Sequence, residues 1–159
     1  LFLAFALILS YIETLIPLAP GIPGIKLGLA NMAVILCLYL FGFKYAFLLT
    51  TVKAILAGLM FGNMFMIVYS LAGAWLSLLL MAALKRYDVF HMPIVSACGG
   101  IMHNMGQLLV AFFAVETYAV IYYMPILVAA GLLTGTVIGM AASLVLPYIQ
   151  KILVKGATL

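Results

Sequence analysis

Long apolar runs, broken by short polar or glycine- and proline-containing stretches, divide the chain into six segments. Runs of this kind read as helices that cross a bilayer. The first extends from Leu1 to about Ile16 and stops at Pro17, Pro20, Gly21, Pro23 and Gly24. The second, from about Leu27 to Phe41, is short for a span, which suits an upright helix screened by its neighbours. The third runs from Lys44 to about Phe61 after a break at Gly42, the fourth from Asn63 to Leu84, and the fifth from Pro93 to about Ala114. The most polar stretch, Lys85 to His91, separates the fourth from the fifth. A turn at Glu116 and Thr117 precedes a sixth helix from about Val120 to Ile149, with Pro125 near its start and Pro147 near its end. The second and third segments can also be read as one broken hairpin. The pattern predicts an all-α integral membrane protein: a bundle of six transmembrane helices forming a single domain over residues 1–159, with no linker and almost no soluble part.

Composition makes lipid the main solvent. Hydrophobic residues are 69% of the chain and charged residues 6%, where an ordinary soluble domain carries about 25% charged residues. The mean hydropathy is +1.40. The net charge of +4 comes from dispersed residues at the ends of apolar runs, so it is no nucleic-acid signal. Cys37 and Cys98 both fall inside apolar segments and argue for no disulfide or metal framework. The chain starts at Leu1, already in an apolar run, so the first helix reads as clipped and no cleavable signal peptide is recognisable. With six spans, Lys44, Lys85, Arg86, Lys151 and Lys155 gather on one side, and Lys26 and Glu116 on the other. Excess Lys and Arg marks the cytoplasm. The expectation is a multi-pass protein of the cell membrane with both termini inside and the Pro17–Lys26 stretch outside.

Small residues recur at the spacing of one helix face. Gly131, Gly135, Gly139 and Ser143 are four apart in the sixth helix; Ala54, Gly58 and Gly62 in the third; Ser96 and Gly100 in the fifth; Ala6 and Ser10 in the first. Such ridges let two backbones approach closely in lipid. They serve packing within the bundle or docking of a partner membrane protein, and Ala6, Ser10, Gly131, Gly135 and Gly139 are the candidates for either role.

The polar residues inside apolar runs carry the most information, because a charge in the bilayer is costly unless it faces the bundle interior, water or a partner. Glu13 lies in the first helix. Lys53 sits roughly 13 Å into the third and His103 roughly 15 Å into the fifth at 1.5 Å per residue. Asn104 and Gln107 follow His103, and Asn31 lies one turn into the second helix. All fall between the middle of the membrane and its outer surface, on four helices. A polar cluster of that kind, open to the outside, is what a substrate cavity needs. Structural alternatives stand beside it. Glu13 and Lys53 can neutralise each other as a pair, His103 and Gln107 can form a satisfied interhelical pair, and Asn31 and Asn63 can cap or bridge helix ends.

Several chemistries have no residues to carry them. The chain has no G-x-x-x-x-G-K-[ST] loop, no G-x-S-x-G elbow and no H-E-x-x-H zinc site. Its three acids are never adjacent, so they form no carboxylate cluster for Mg²⁺ on a diphosphate. Nothing here points to an enzyme or to a cofactor.

Five stretches together resemble one family: Ser10–Tyr11–Ile12–Glu13; Pro23–Gly24–Ile25–Lys26–Leu27–Gly28–Leu29–Ala30–Asn31; Lys53 with Gly58, Phe61 and Gly62; Ser70–Leu71–Ala72–Gly73; and His103–Asn104–Met105–Gly106–Gln107–Leu108. They are similar to the Gx transporter family, also called heptaprenyl diphosphate synthase component I, over nearly the whole chain. That family is in turn similar to the S components of energy-coupling-factor (ECF) transporters, six-helix proteins that capture a metabolite outside and dock on a T component driven by two ATPases. The resemblance implies a substrate-binding subunit of an ATP-driven uptake transporter for a vitamin-like or isoprenoid- or quinone-related compound. Its partners would be membrane lipid, a small-molecule substrate, a T component and two ATPase subunits. The substrate-binding residues would be Glu13, Lys26, Asn31, Lys53, His103, Asn104 and Gln107, with the Pro17–Lys26 loop closing over them. An A-x-x-x-A ridge in the first helix, common in S components, is represented only by Ala6 and Ser10. The alternatives are a non-catalytic membrane subunit associated with heptaprenyl diphosphate synthesis, and a small self-contained transporter.

Overall fold

The computed structural model describes residues 1–15, 28–115 and 118–156. Its elements are α1 (Phe2–Leu15), α2 (Leu29–Phe41), α3 (Phe43–Phe61), α4 (Met64–Arg86), α5 (Met92–Val115), a 3₁₀ turn (Tyr118–Tyr123) and α6 (Met124–Gly156), with no strand among the described residues. Four helices, α3 to α6, are long and apolar enough to cross a membrane. This is an all-α membrane protein. The two shorter apolar helices, α1 and α2, have 14 and 13 residues, about 20 Å each at 1.5 Å per residue, against a hydrocarbon core of about 30 Å.

Helix ends follow their local chemistry. Asn63 caps α4, its side chain accepting a hydrogen bond from the Met66 N–H at 2.9 Å. Gly42 alone joins α2 to α3 and has a φ of 88°, a left-handed value that favours glycine. Gly28 precedes α2 with a φ of 76°. At the other end of α2, the Lys85 ammonium donates to the Leu38 carbonyl at 2.7 Å and lies 4.9 Å from the centre of the Tyr39 ring.

The sixth helix departs most from expectation. It begins after the 3₁₀ turn and runs through Pro147 to Gly156, well past the expected end near Ile149. Proline removes one backbone donor.

Neighbouring helices run antiparallel, as the cross-contacts show. The aromatic rings of Phe2 and Phe41 meet across α1 and α2, Trp75 Nε1 donates to Thr51 Oγ1 at 3.1 Å across α4 and α3, and Asn104 Nδ2 donates to the Leu127 carbonyl at 2.7 Å across α5 and α6. The core surrounds α2. Every residue from Ala33 to Leu38 is buried, packed with Leu78, Val95 and Ala142. A helix buried on all sides has no polar face, which is why α2 reads as one continuous apolar run.

The ridge of α6 packs inside the bundle. A Cβ on Gly131 would lie 2.6 Å from the Gly100 carbonyl oxygen, one on Gly135 2.6 Å from the Ser96 carbonyl oxygen, and one on Gly139 2.6 Å from the Pro93 Cα. Backbone therefore touches backbone along the whole α5–α6 seam. Ala6 is fully buried and Ser10 faces the interior cavity described below. Of the two roles its spacing allows, the α6 ridge serves packing within the bundle, with Gly131, Gly135 and Gly139 against α5.

Candidate functional site

A cavity lies in the half of the bundle away from the chain termini. It holds about 110 Å³ of interior space behind an open mouth, room for a small polar group rather than a large ligand. Glu13, Asn31, Lys53, His103, Asn104 and Gln107 all line it. Lys26 lies outside the described residues, as does the rest of the Pro17–Lys26 stretch.

Each polar side chain is placed by a distinct local device. Glu13 is near the C-terminal end of α1, and its Oε1 accepts a hydrogen bond from the Leu29 N–H at 2.8 Å. It thereby caps α2 across 16 residues of sequence, satisfying a donor that a helix start cannot satisfy itself. A carboxylate there also complements the positive end of the helix dipole. Lys53, 8% exposed on α3, donates to Asn31 Oδ1 at 3.2 Å. Opposite charges from α1 and α3 thus grip the first turn of α2, one at Leu29 and one at Asn31. Glu13 and Lys53 each bond the start of α2, at Leu29 and Asn31 respectively.

Glu13→Ala is expected to remove the cap and cost about 1–2 kcal/mol of stability, whereas Glu13→Gln keeps an acceptor oxygen and costs less. Thermal unfolding of the two variants in the same detergent checks the order.

His103 and Gln107 project toward α4 where Gly73 stands. A Cβ on Gly73 would lie 2.9 Å from Gln107 Cγ and 3.2 Å from His103 Nε2. Gly106 meets Gly73 from the opposite side, its Cβ position 2.8 Å from the Gly73 Cα. The α4–α5 crossing at this glycine pair is what brings the two side chains into the cavity. Sequence reading marked both glycines only as part of the family-like stretches and gave them no packing role, although Gly73 and Ser77 have the same four-residue spacing that marked the other ridges. Gln107 is 2% exposed, and its Oε1 has no hydrogen-bond partner among the described residues. Asn104 is anchored to α6 through its amide nitrogen.

Ser10, Gly28, Ser70 and Thr134 also line the cavity. Of these, Thr134 spends its hydroxyl proton on the Ala130 carbonyl at 2.8 Å. Beyond Thr14, whose hydroxyl donates to the Tyr11 carbonyl at 2.6 Å, the walls are small or apolar, among them Ala54, Ala57, Gly58, Phe61, Met66 and Ala74. No group of three His, Cys, Asp or Glu residues among the described residues is placed to hold a metal ion. The arrangement can hydrogen-bond a polar group deep in the bundle and pack an apolar body above it.

The sequence model of a family described as heptaprenyl diphosphate synthase component I matches residues 2–145. No curated protein and no solved structure matches the chain.

Proposed function

The chain belongs to the heptaprenyl diphosphate synthase component I family, and on that premise we propose that it is a membrane-embedded substrate-binding subunit, S-component-like, of an ATP-driven uptake transporter for a small metabolite. One observation carries the reading: ten polar residues drawn from all six helices, Glu13, Asn31, Lys53, His103, Asn104 and Gln107 among them, line a single cavity in an otherwise apolar bundle. Polar groups at that depth are costly unless they have a use. The energy source would be a partner T component with two ATPases, because the chain has no nucleotide-binding loop of its own.

The family description supports a second reading, a non-catalytic membrane subunit associated with heptaprenyl diphosphate synthesis. Its docking face would be the end of the bundle that carries Lys85 to His91. Gentle affinity purification from native membranes separates the readings. Recovery of a transmembrane partner with ATPases, and of a bound small molecule by native mass spectrometry, is the expected result. Recovery of a soluble prenyl synthase instead would overturn the uptake reading. Transport by the chain alone in liposomes would assign it to a self-contained transporter.

The proposed orientation puts Lys44, Lys85, Arg86, Lys151 and Lys155 in the cytoplasm. In a cysteine-free background, a cysteine at Arg86 is expected to label only from the cytoplasmic side and one at Gly62 only from outside. Labelling of both from one side would invert or break this topology.

A further inference from the structure

The cavity presents one charged group of each sign, Lys53 and Glu13, and that pairing points to a ligand head group. On the substrate-binding reading above, we infer that this head group is zwitterionic, pairing one carboxylate-like anion with one ammonium, and that diphosphates are excluded. Among the described residues lining the cavity there is one lysine, Lys53, and one carboxylate, Glu13. Acceptors outnumber cations there. One Glu13 oxygen is used by the Leu29 N–H, and a carboxylate has a second oxygen to offer. Gln107 presents a buried carbonyl oxygen with no hydrogen-bond partner among the described residues. Asn104 gives one amide N–H to the Leu127 carbonyl, and keeps a carbonyl oxygen as a further acceptor beside its second N–H.

An ammonium has three N–H donors and no acceptor, so it matches this set. Lys53 meets a neutral amide oxygen, Asn31 Oδ1. A ligand carboxylate would form the stronger charge-assisted bond in its place. A diphosphate is acceptor-only and at least doubly negative. It would place its charge beside Glu13 and the Gln107 carbonyl with a single described lysine to offset it. The site's buried acceptors would stay unfilled, which is the usual basis of strong rejection.

The test uses the full chain purified in mild detergent and four probes of one body size: norleucine, hexanoate, hexylamine and hexyl diphosphate. Thermal unfolding is followed by the fluorescence of Trp75, the chain's one tryptophan. Norleucine is expected to raise the melting temperature most, and hexyl diphosphate not at all. Glu13→Gln, which keeps the cap on α2, and Lys53→Met, which keeps side-chain bulk, are each expected to weaken norleucine binding by about tenfold or more. Hexanoate equalling norleucine, or hexyl diphosphate exceeding it, with either response lost in Lys53→Met, would overturn the zwitterion while leaving a substrate cavity in place. Norleucine binding unchanged in Glu13→Gln would overturn the ammonium half. No response to any probe would overturn both the head group and the substrate-binding reading.

Discussion

Gly135→Leu is expected to abolish the folded protein. A Cβ at Gly135 already falls 2.6 Å from the Ser96 carbonyl oxygen and 2.8 Å from the Ala97 Cα. Both are backbone atoms of α5 and cannot rotate aside as a side-chain tip could. Leucine adds three more carbons to that position. Accommodation would force α5 and α6 apart along a seam where Gly131 and Gly139 also sit against backbone. Overpacking a yielding core costs about 1–3 kcal/mol, and a backbone-on-backbone seam exceeds that range, a large share of the about 5–15 kcal/mol that holds a typical domain folded. Size-exclusion chromatography after detergent extraction should give aggregate in place of a monodisperse peak. Leu133→Ala, on the exposed face of the same helix at 68% relative exposure, is the control and should leave the peak intact. A monodisperse Gly135→Leu protein with an unshifted melting temperature would mean that the seam is looser than described.

Lys53→Ala is expected to cost ligand affinity far more than stability. The lysine reaches the first turn of α2 through Asn31 Oδ1, a neutral partner whose loss leaves the Glu13 cap at Leu29 in place. Truncation also removes a buried charge, so the folded state loses a hydrogen bond and sheds a desolvation cost together. A bound anion has no such compensation. Loss of a hydrogen bond to a charged group is worth about 1.5–3 kcal/mol, or roughly ten- to hundredfold in affinity. The measurement is the dissociation constant of the ligand recovered on the purified protein, beside its melting temperature. Unchanged affinity in a folded variant would return Lys53 to a purely structural role.

Much of this molecule could be read from its sequence because lipid forces the pattern to be simple. Apolar runs located all six helices within a few residues, and the four-residue spacing of Gly131, Gly135 and Gly139 marked a close helix contact. Polar residues stranded in apolar runs proved to share one cavity, because burial against one another is the cheapest place for them in a bilayer. The misses arose where the deciding partner was remote or was backbone. Nothing near Glu13 in sequence indicates that it caps Leu29. The end of α6 was placed near Ile149 because Gln150, Lys151 and Lys155 interrupt the apolar pattern, although they do not break the helix, which runs to Gly156. The packing role of Gly73 and Gly106 was missed because it depends on their mutual approach across the α4–α5 crossing.

Lys85 separates two ways of counting charge. An inserting segment is read before tertiary contacts exist, so its lysine counts toward orientation in full. Once the bundle forms, the same ammonium is turned inward onto the Leu38 carbonyl and the Tyr39 ring. The signal that sorts the helices during biogenesis is therefore larger than the electrostatic face the finished protein presents. An approaching phospholipid headgroup or acidic protein meets Lys44, Arg86, Lys151 and Lys155, partly offset by Asp88, and Lys85 has become a hidden rivet of the fold.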